Sequence, residues 1–177
     1  KIFDPPPRDR AYFQNHLLFA QNYFRNVSDG RRIIAATLLD SVYHLPHQMQ
    51  YYSPPRGSSV NTEVGLLMQD SWHLVDSLTP GFPFEQYDAF VIFHAGAGRD
   101  IDFVSILGYD PLPFDIPSLY INLAGLKTMF GSAYNGVPVK NGTFVIQNTM
   151  IIPETENHTI EGITGPALLE LGINGLI

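Results

Sequence analysis

A mixed α/β layer is predicted by three features of the sequence: two amphipathic helical stripes, one unbroken apolar run closed by glycines, and one strong hairpin signal. The run spans residues 89–94, Ala89-Phe90-Val91-Ile92-Phe93-His94, and stops at Gly96-Ala97-Gly98. Short and apolar on both faces, it predicts a central strand covered on both sides. Its end is the expected place for chemistry, because His94 stands there and the glycines let other groups approach the backbone closely.

The first helical stripe runs from Asp9 to about Val27. Tyr12, Phe13, Leu17, Leu18, Ala20, Phe24 and Val27 recur at three- and four-residue intervals, with Asp9 as the cap and Ser28-Asp29-Gly30 as the stop. His16 reads as a half-exposed helix histidine. Residues 31–43 change period, and Ile33-Ile34, Thr37-Leu38-Leu39 and Val42-Tyr43 predict a strand or hairpin arm. Residues 50–59 are expected to form a loop. The second stripe, from about Asn61 to Leu78, places Val64, Leu67, Met68, Trp72, Val75 and Leu78 in the core and Glu63 in the first turn, where the helix dipole favours it. Thr79-Pro80-Gly81 closes it.

After the central strand, residues 99–117 are expected to be an irregular acidic loop, and residues 118–130 fit either a short helix or a strand. Val137-Pro138-Val139-Lys140-Asn141-Gly142-Thr143-Phe144-Val145-Ile146 places an Asn-Gly turn between β-rich arms and predicts a hairpin. Its second arm is allowed to run on to Ile152. Residues 167–177 look like the start of a buried helix, and residues 1–7, with Pro5-Pro6-Pro7, like an extended lead-in.

Composition narrows the function. The 177 residues fit one domain, and 45% hydrophobic with 12% aromatic residues are enough for a real core. Ten Lys+Arg against 17 Asp+Glu give a formal charge of −7, a surface that repels phosphate backbones and argues against a nucleic-acid partner. The absence of cysteine removes disulfide scaffolds, thiolate zinc sites and cysteine nucleophiles together. Fourteen prolines and fifteen glycines with only 15% charged residues point to a loop-rich secreted protein. No stretch reaches the roughly 18 consecutive apolar residues of a membrane span. Leu168 to Ile177 is apolar to the last residue, from which the chain is expected to continue in a longer protein or to be covered by a partner chain.

Several motifs invite chemistry. Gly96-Ala97-Gly98 lacks the third glycine of a dinucleotide fingerprint, since Ile101 stands there, and the aspartates that follow carry the wrong charge for a phosphate. His44-Leu45-Pro46-His47 offers two imidazoles, but Pro46 denies them a helix and no acidic partner follows nearby. Asp88, Asp100 and Asp102 are the candidate oxygen ligands for calcium, set against a plain solvated acidic loop. His94 needs a partner for each ring nitrogen and reads as structural before it reads as catalytic.

In order along the chain, Asn22-Tyr23-Phe24-Arg25-Asn26-Val27-Ser28-Asp29-Gly30-Arg31, Val42-Tyr43-His44-Leu45-Pro46, Tyr51-Tyr52, the strand ending His94-Ala95-Gly96, and Ile151-Ile152-Pro153-Glu154 resemble secreted immune inhibitor A-like metalloproteases over roughly residues 8–177. The resemblance implies the amino-terminal half of a zincin-like domain, a twisted mixed sheet with packed helices whose edge strand lines a cleft for an extended peptide. It also implies zinc for the full domain, held by a His-Glu-x-x-His helix. No such spacing exists among His16, His44, His47, His73, His94 and His158, so the zinc ligands are expected beyond Ile177 and this chain is expected to bind no zinc itself. His94 and Glu154 remain as cleft-lining candidates. Two functions follow as expectations: a portion of a secreted zinc metallopeptidase acting on peptide or protein substrates, or a non-catalytic extracellular assembly subunit that keeps the fold.

Overall fold

The computed structural model describes residues 8–100 and 102–155. The expected lead-in at residues 1–7 and the expected helix at residues 167–177 lie outside the described residues.

Helix α1 (Arg10–Val27) starts as its sequence dictates, with the Asp9 carboxylate accepting from the Tyr12 amide at 2.9 Å. Asp29 and Gly30, both at positive φ, end it. Its buried contacts are fewer than the stripe predicts: Ala20 and Phe24 are buried, while Leu18 and Val27 face outward. Residues 31–43 form no strand. They run extended without a ladder partner, and Ile33 is 79% exposed. The propensity of β-branched residues becomes a strand only where another strand takes up the backbone donors and acceptors.

Helix α2 (Met49–Tyr52) is a single turn inside the expected loop, and α3 (Thr62–Leu78) is the long helix the second stripe predicts. Val64, Leu67, Met68, Trp72 and Val75 are buried on it, whereas Leu78, at its last residue, is exposed. Strand β1 (Val91–His94) follows, then α4 (Phe103–Leu107), a short helix within the predicted irregular loop. Residues 118–130 hold both alternatives in turn: strand β2 (Leu119–Ile121) and helix α5 (Leu123–Phe130), the latter capped by the Asn122 side chain on the Gly125 amide at 2.9 Å. The Asn-Gly hairpin forms as β3 (Val137–Val139) and β4 (Phe144–Ile146), a two-stranded sheet of its own. Its second arm does not run on, because Gln147 and Asn148 separate it from β5 (Thr149–Pro153).

The main sheet has the order β1-β5-β2, with β5 parallel to β1 and antiparallel to β2. Among the described residues β5 is therefore the central strand, buried at all five positions, and β1 lies at an edge with only His94 of its four residues buried. Alternation along β5 then divides the core. Met150 and Ile152 meet Ala20 and Leu17 of α1 on one face. Ile151 joins α3, Phe84, Phe90, Leu126 and the hairpin on the other.

Candidate functional site

β1 ends at His94, and every group the sequence marks near it is brought in by a definite element. The parallel register pairs His94 with Pro153, and the Glu154 amide donates to the His94 carbonyl at 2.8 Å. Glu154 is thereby fixed beside the turn that follows β1. One of its carboxylate oxygens accepts from the Gly96 amide at 3.0 Å, while its carbonyl accepts from the Tyr12 hydroxyl at 2.7 Å and from Arg8 Nε at 3.2 Å. The two glycines of the turn have different causes. Gly96 sits at φ 84, which side-chain-bearing residues avoid. At Gly98 the obstacle is space, since a Cβ there would lie 2.8 Å from the Asp100 carboxylate and 2.9 Å from Pro153 Cγ.

His94 is 7% exposed, and its Nδ1 lies 2.9 Å from the Ala95 carbonyl oxygen. A carbonyl can only accept, so Nδ1 carries the proton and Nε2 presents a bare lone pair in the neutral ring. That Nε2 is buried and has no hydrogen-bond partner among the described residues. Burial pushes the imidazole below its ordinary pKa, against the opposing pull of the Ala95 carbonyl and of the Asp100 and Glu154 charges.

The calcium trio does not assemble. Asp88 precedes β1, whereas Asp100 and Asp102 follow it, and the strand alone sets its two ends about 10 Å apart. Each of the latter two has other work: Asp100 accepts from the amide and hydroxyl of Ser118, and Asp102 caps α4 through the Ser105 amide at 3.1 Å. Those Ser105 hydrogen bonds hold the Asp102 carboxyl below the usual carboxylate range. Among the described residues no three His, Asp or Glu side chains gather in a way that could hold a metal. His47 is stacked on Tyr51 with ring centroids 4.0 Å apart.

Arg99 is the residue that sequence reasoning missed. Its guanidinium donates to the Pro54 carbonyl at 2.8 Å, the Ser53 hydroxyl at 2.7 Å and the Asp115 carbonyl at 2.9 Å, and its Nε lies 3.4 Å from the Asp115 carboxylate. With the Arg99 amide on the Ile116 carbonyl, this binds the glycine turn to the segments before α3 and before β2. Asp115 is 2% exposed, and burial pushes its carboxyl up despite Arg99. The only signal in the sequence was a lone arginine among aspartates.

Compared with models of known protein families, with curated proteins and with solved structures, the chain finds no match. Among the described residues the structure defines a mixed α/β fold with five helices, a mixed three-stranded sheet and a separate two-stranded hairpin.

Proposed function

We propose that this chain is the amino-terminal portion of a secreted zinc metallopeptidase domain, whose zinc helix lies outside it, and that its own task is to hold an extended peptide. One observation carries the reading. Among the described residues β2 is an antiparallel edge strand whose first residue lies two positions short of the His94 end of β1, since Ile92 and Leu119 both register with Ile151. The outer edge of Leu119–Ile121 offers backbone donors and acceptors to an added strand. Such a strand, extended about two residues past Leu119, would reach the end of the sheet where His94 and Glu154 stand. None of the described residues carries the hydrolytic step.

Intact mass of the native protein, with sequencing of its carboxyl end and zinc analysis, tests the reading. A mass well above 19.8 kDa, peptides covering a His-Glu-x-x-His helix and stoichiometric zinc are expected. A zinc-free native chain ending at Ile177 sinks it. The second reading, an extracellular assembly subunit, is favoured by the large apolar side chains left outside on α4 and the segment after it.

A further inference from the structure

Between β1 and β2 the chain turns five large apolar side chains outward within eleven positions: Val104, Leu107, Tyr109, Leu112 and Phe114. α4 explains the first two. Phe103 and Ile106 point inward and pack with Ala97, so the residues one position further on, Val104 and Leu107, share the outer face. Gly108 at φ 78 ends the helix, and Pro111 and Pro113 restrict the backbone that presents the other three. Tyr109 is 63%, Val104 56% and Phe114 54% exposed. Single exposed apolar residues need no explanation, but a group this dense marks an interaction surface.

The charge around it is one-sided. Asp100, Asp102 and Asp110 border the group, and residues 95–118 contain no lysine and a single arginine, Arg99, whose donors are committed inward. Arg56 answers Asp110 alone among these three through a direct ion pair. A second copy of this chain, with a net charge of −7, would meet the surface with like charge.

We propose that the exposed stretch 104–114, through Val104, Leu107, Tyr109, Leu112 and Phe114, binds peptide segments carrying aliphatic or aromatic side chains together with lysine or arginine. The apolar side chains supply affinity, and the acidic border selects the basic ones and speeds their approach. The inference goes beyond the peptidase reading, because it concerns binding and holds whether or not the partner is cleaved.

Fluorescence anisotropy of three labelled probes with the whole chain tests it: a short peptide of leucine, phenylalanine and lysine, the same peptide with glutamate for lysine, and the same peptide with serine for leucine and phenylalanine. The first is expected to bind at least about tenfold more tightly than either of the others, and to weaken as salt rises from about 0.1 M to 1 M and the screening length falls from about 10 to 3 Å. Val104→Ser with Leu107→Ser, and separately Phe114→Ser, are each expected to weaken it about tenfold at unchanged circular dichroism. No binding, equal binding of the glutamate probe, or insensitivity to both variants overturns the proposal. A wild-type chain that dimerises in the ultracentrifuge, with patch variants that do not, also overturns it, since the occupant is then a second copy. The probe and salt comparisons use the wild-type chain and decide the matter even where a variant fails to fold.

Discussion

The indole N–H of Trp72 donates to the Thr149 hydroxyl at 2.9 Å, and that hydroxyl donates in turn to the Asn148 carbonyl at 2.7 Å. Trp72 lies in the body of α3 and Thr149 opens β5, so the bond ties the long helix to the central strand where both residues are buried. It also marks the place where the chain leaves the hairpin and enters the main sheet. A buried indole N–H with no acceptor costs more than the hydrogen bond itself returns, which makes this contact asymmetric in its consequences.

Thr149→Val keeps the shape of the side chain and removes the acceptor. It is expected to lower stability by about 1–3 kcal/mol, the cost of an orphaned buried donor. Thr149→Ser keeps the hydroxyl and is expected to cost less. Urea unfolding followed by the fluorescence of Trp72, the single tryptophan, measures both. A Thr149→Val midpoint equal to that of the wild type would show that the bond ties nothing.

His94 makes stability depend on pH in a definite direction. Its folded pKa is depressed by burial, so as pH falls through the ordinary value of 6.5 the unfolded chain takes up a proton that the folded chain refuses. The stability due to the neutral ring is therefore fully present above pH 6.5 and is lost below it, until the folded pKa is reached. The slope approaches about 1.4 kcal/mol per pH unit. His94→Asn, which retains a donor for the Ala95 carbonyl, is expected to flatten the curve between pH 6.5 and 5. Denaturant titrations across that range check it, and identical slopes for the two proteins would refute it.

What was legible in the sequence is what local chemistry decides. Asp9, the spacing from Phe13 to Phe24, and the stripe from Val64 to Val75 set two helices in nearly the predicted places, and Asn141-Gly142 set the hairpin. Strand order was not legible, because it is a relation between distant segments. Residues 89–94 read as the central strand and the stretch up to Ile152 as a continuation of the hairpin arm, and only the pairing puts β5 in the middle and β1 at the edge among the described residues. Ile33 and Val42 failed for the same reason, since nothing nearby says that no partner comes. At the site, His94 could be named from its own segment and Glu154 only through the resemblance. Arg99 could not, because its acceptors include a carbonyl 45 residues away, at Pro54.

Two glycines of the hairpin, Gly136 just before β3 and Gly142 in the turn between β3 and β4, separate steric from conformational cost. Gly136 sits at φ 118, and a Cβ there would lie 2.6 Å from the Ile146 carbonyl oxygen, which is backbone and cannot rotate away. Gly142, at φ 82, has nothing within 4 Å of such a Cβ. Gly136→Ala is expected to cost about 2–4 kcal/mol by displacing β4, and Gly142→Ala about 1 kcal/mol from the positive φ alone. Thermal unfolding of the pair tests the order, and equal losses would contradict it.

Removing Arg99 should do more harm than neutralising its acidic neighbour. Asp115 lies 3.4 Å from Arg99 Nε through one oxygen, and burial already opposes its charge, so Asp115→Asn removes a weak ion pair and relieves part of a desolvation cost. Arg99→Ala instead leaves the Pro54 carbonyl and the Ser53 hydroxyl oxygen without the Arg99 donor, and the Asp115 carbonyl with the Ser53 hydroxyl alone, in the partly buried region between the glycine turn and α2. The expected losses are within about 1 kcal/mol for Asp115→Asn and about 2–4 kcal/mol for Arg99→Ala. Because Arg99 also anchors the turn that follows His94, hydrogen exchange at Gly96 to Asp100 is expected to rise in Arg99→Ala and to stay near wild type in Asp115→Asn. The reverse order in either measurement would mean that the buried carboxylate, and not the arginine, holds this end of the sheet together.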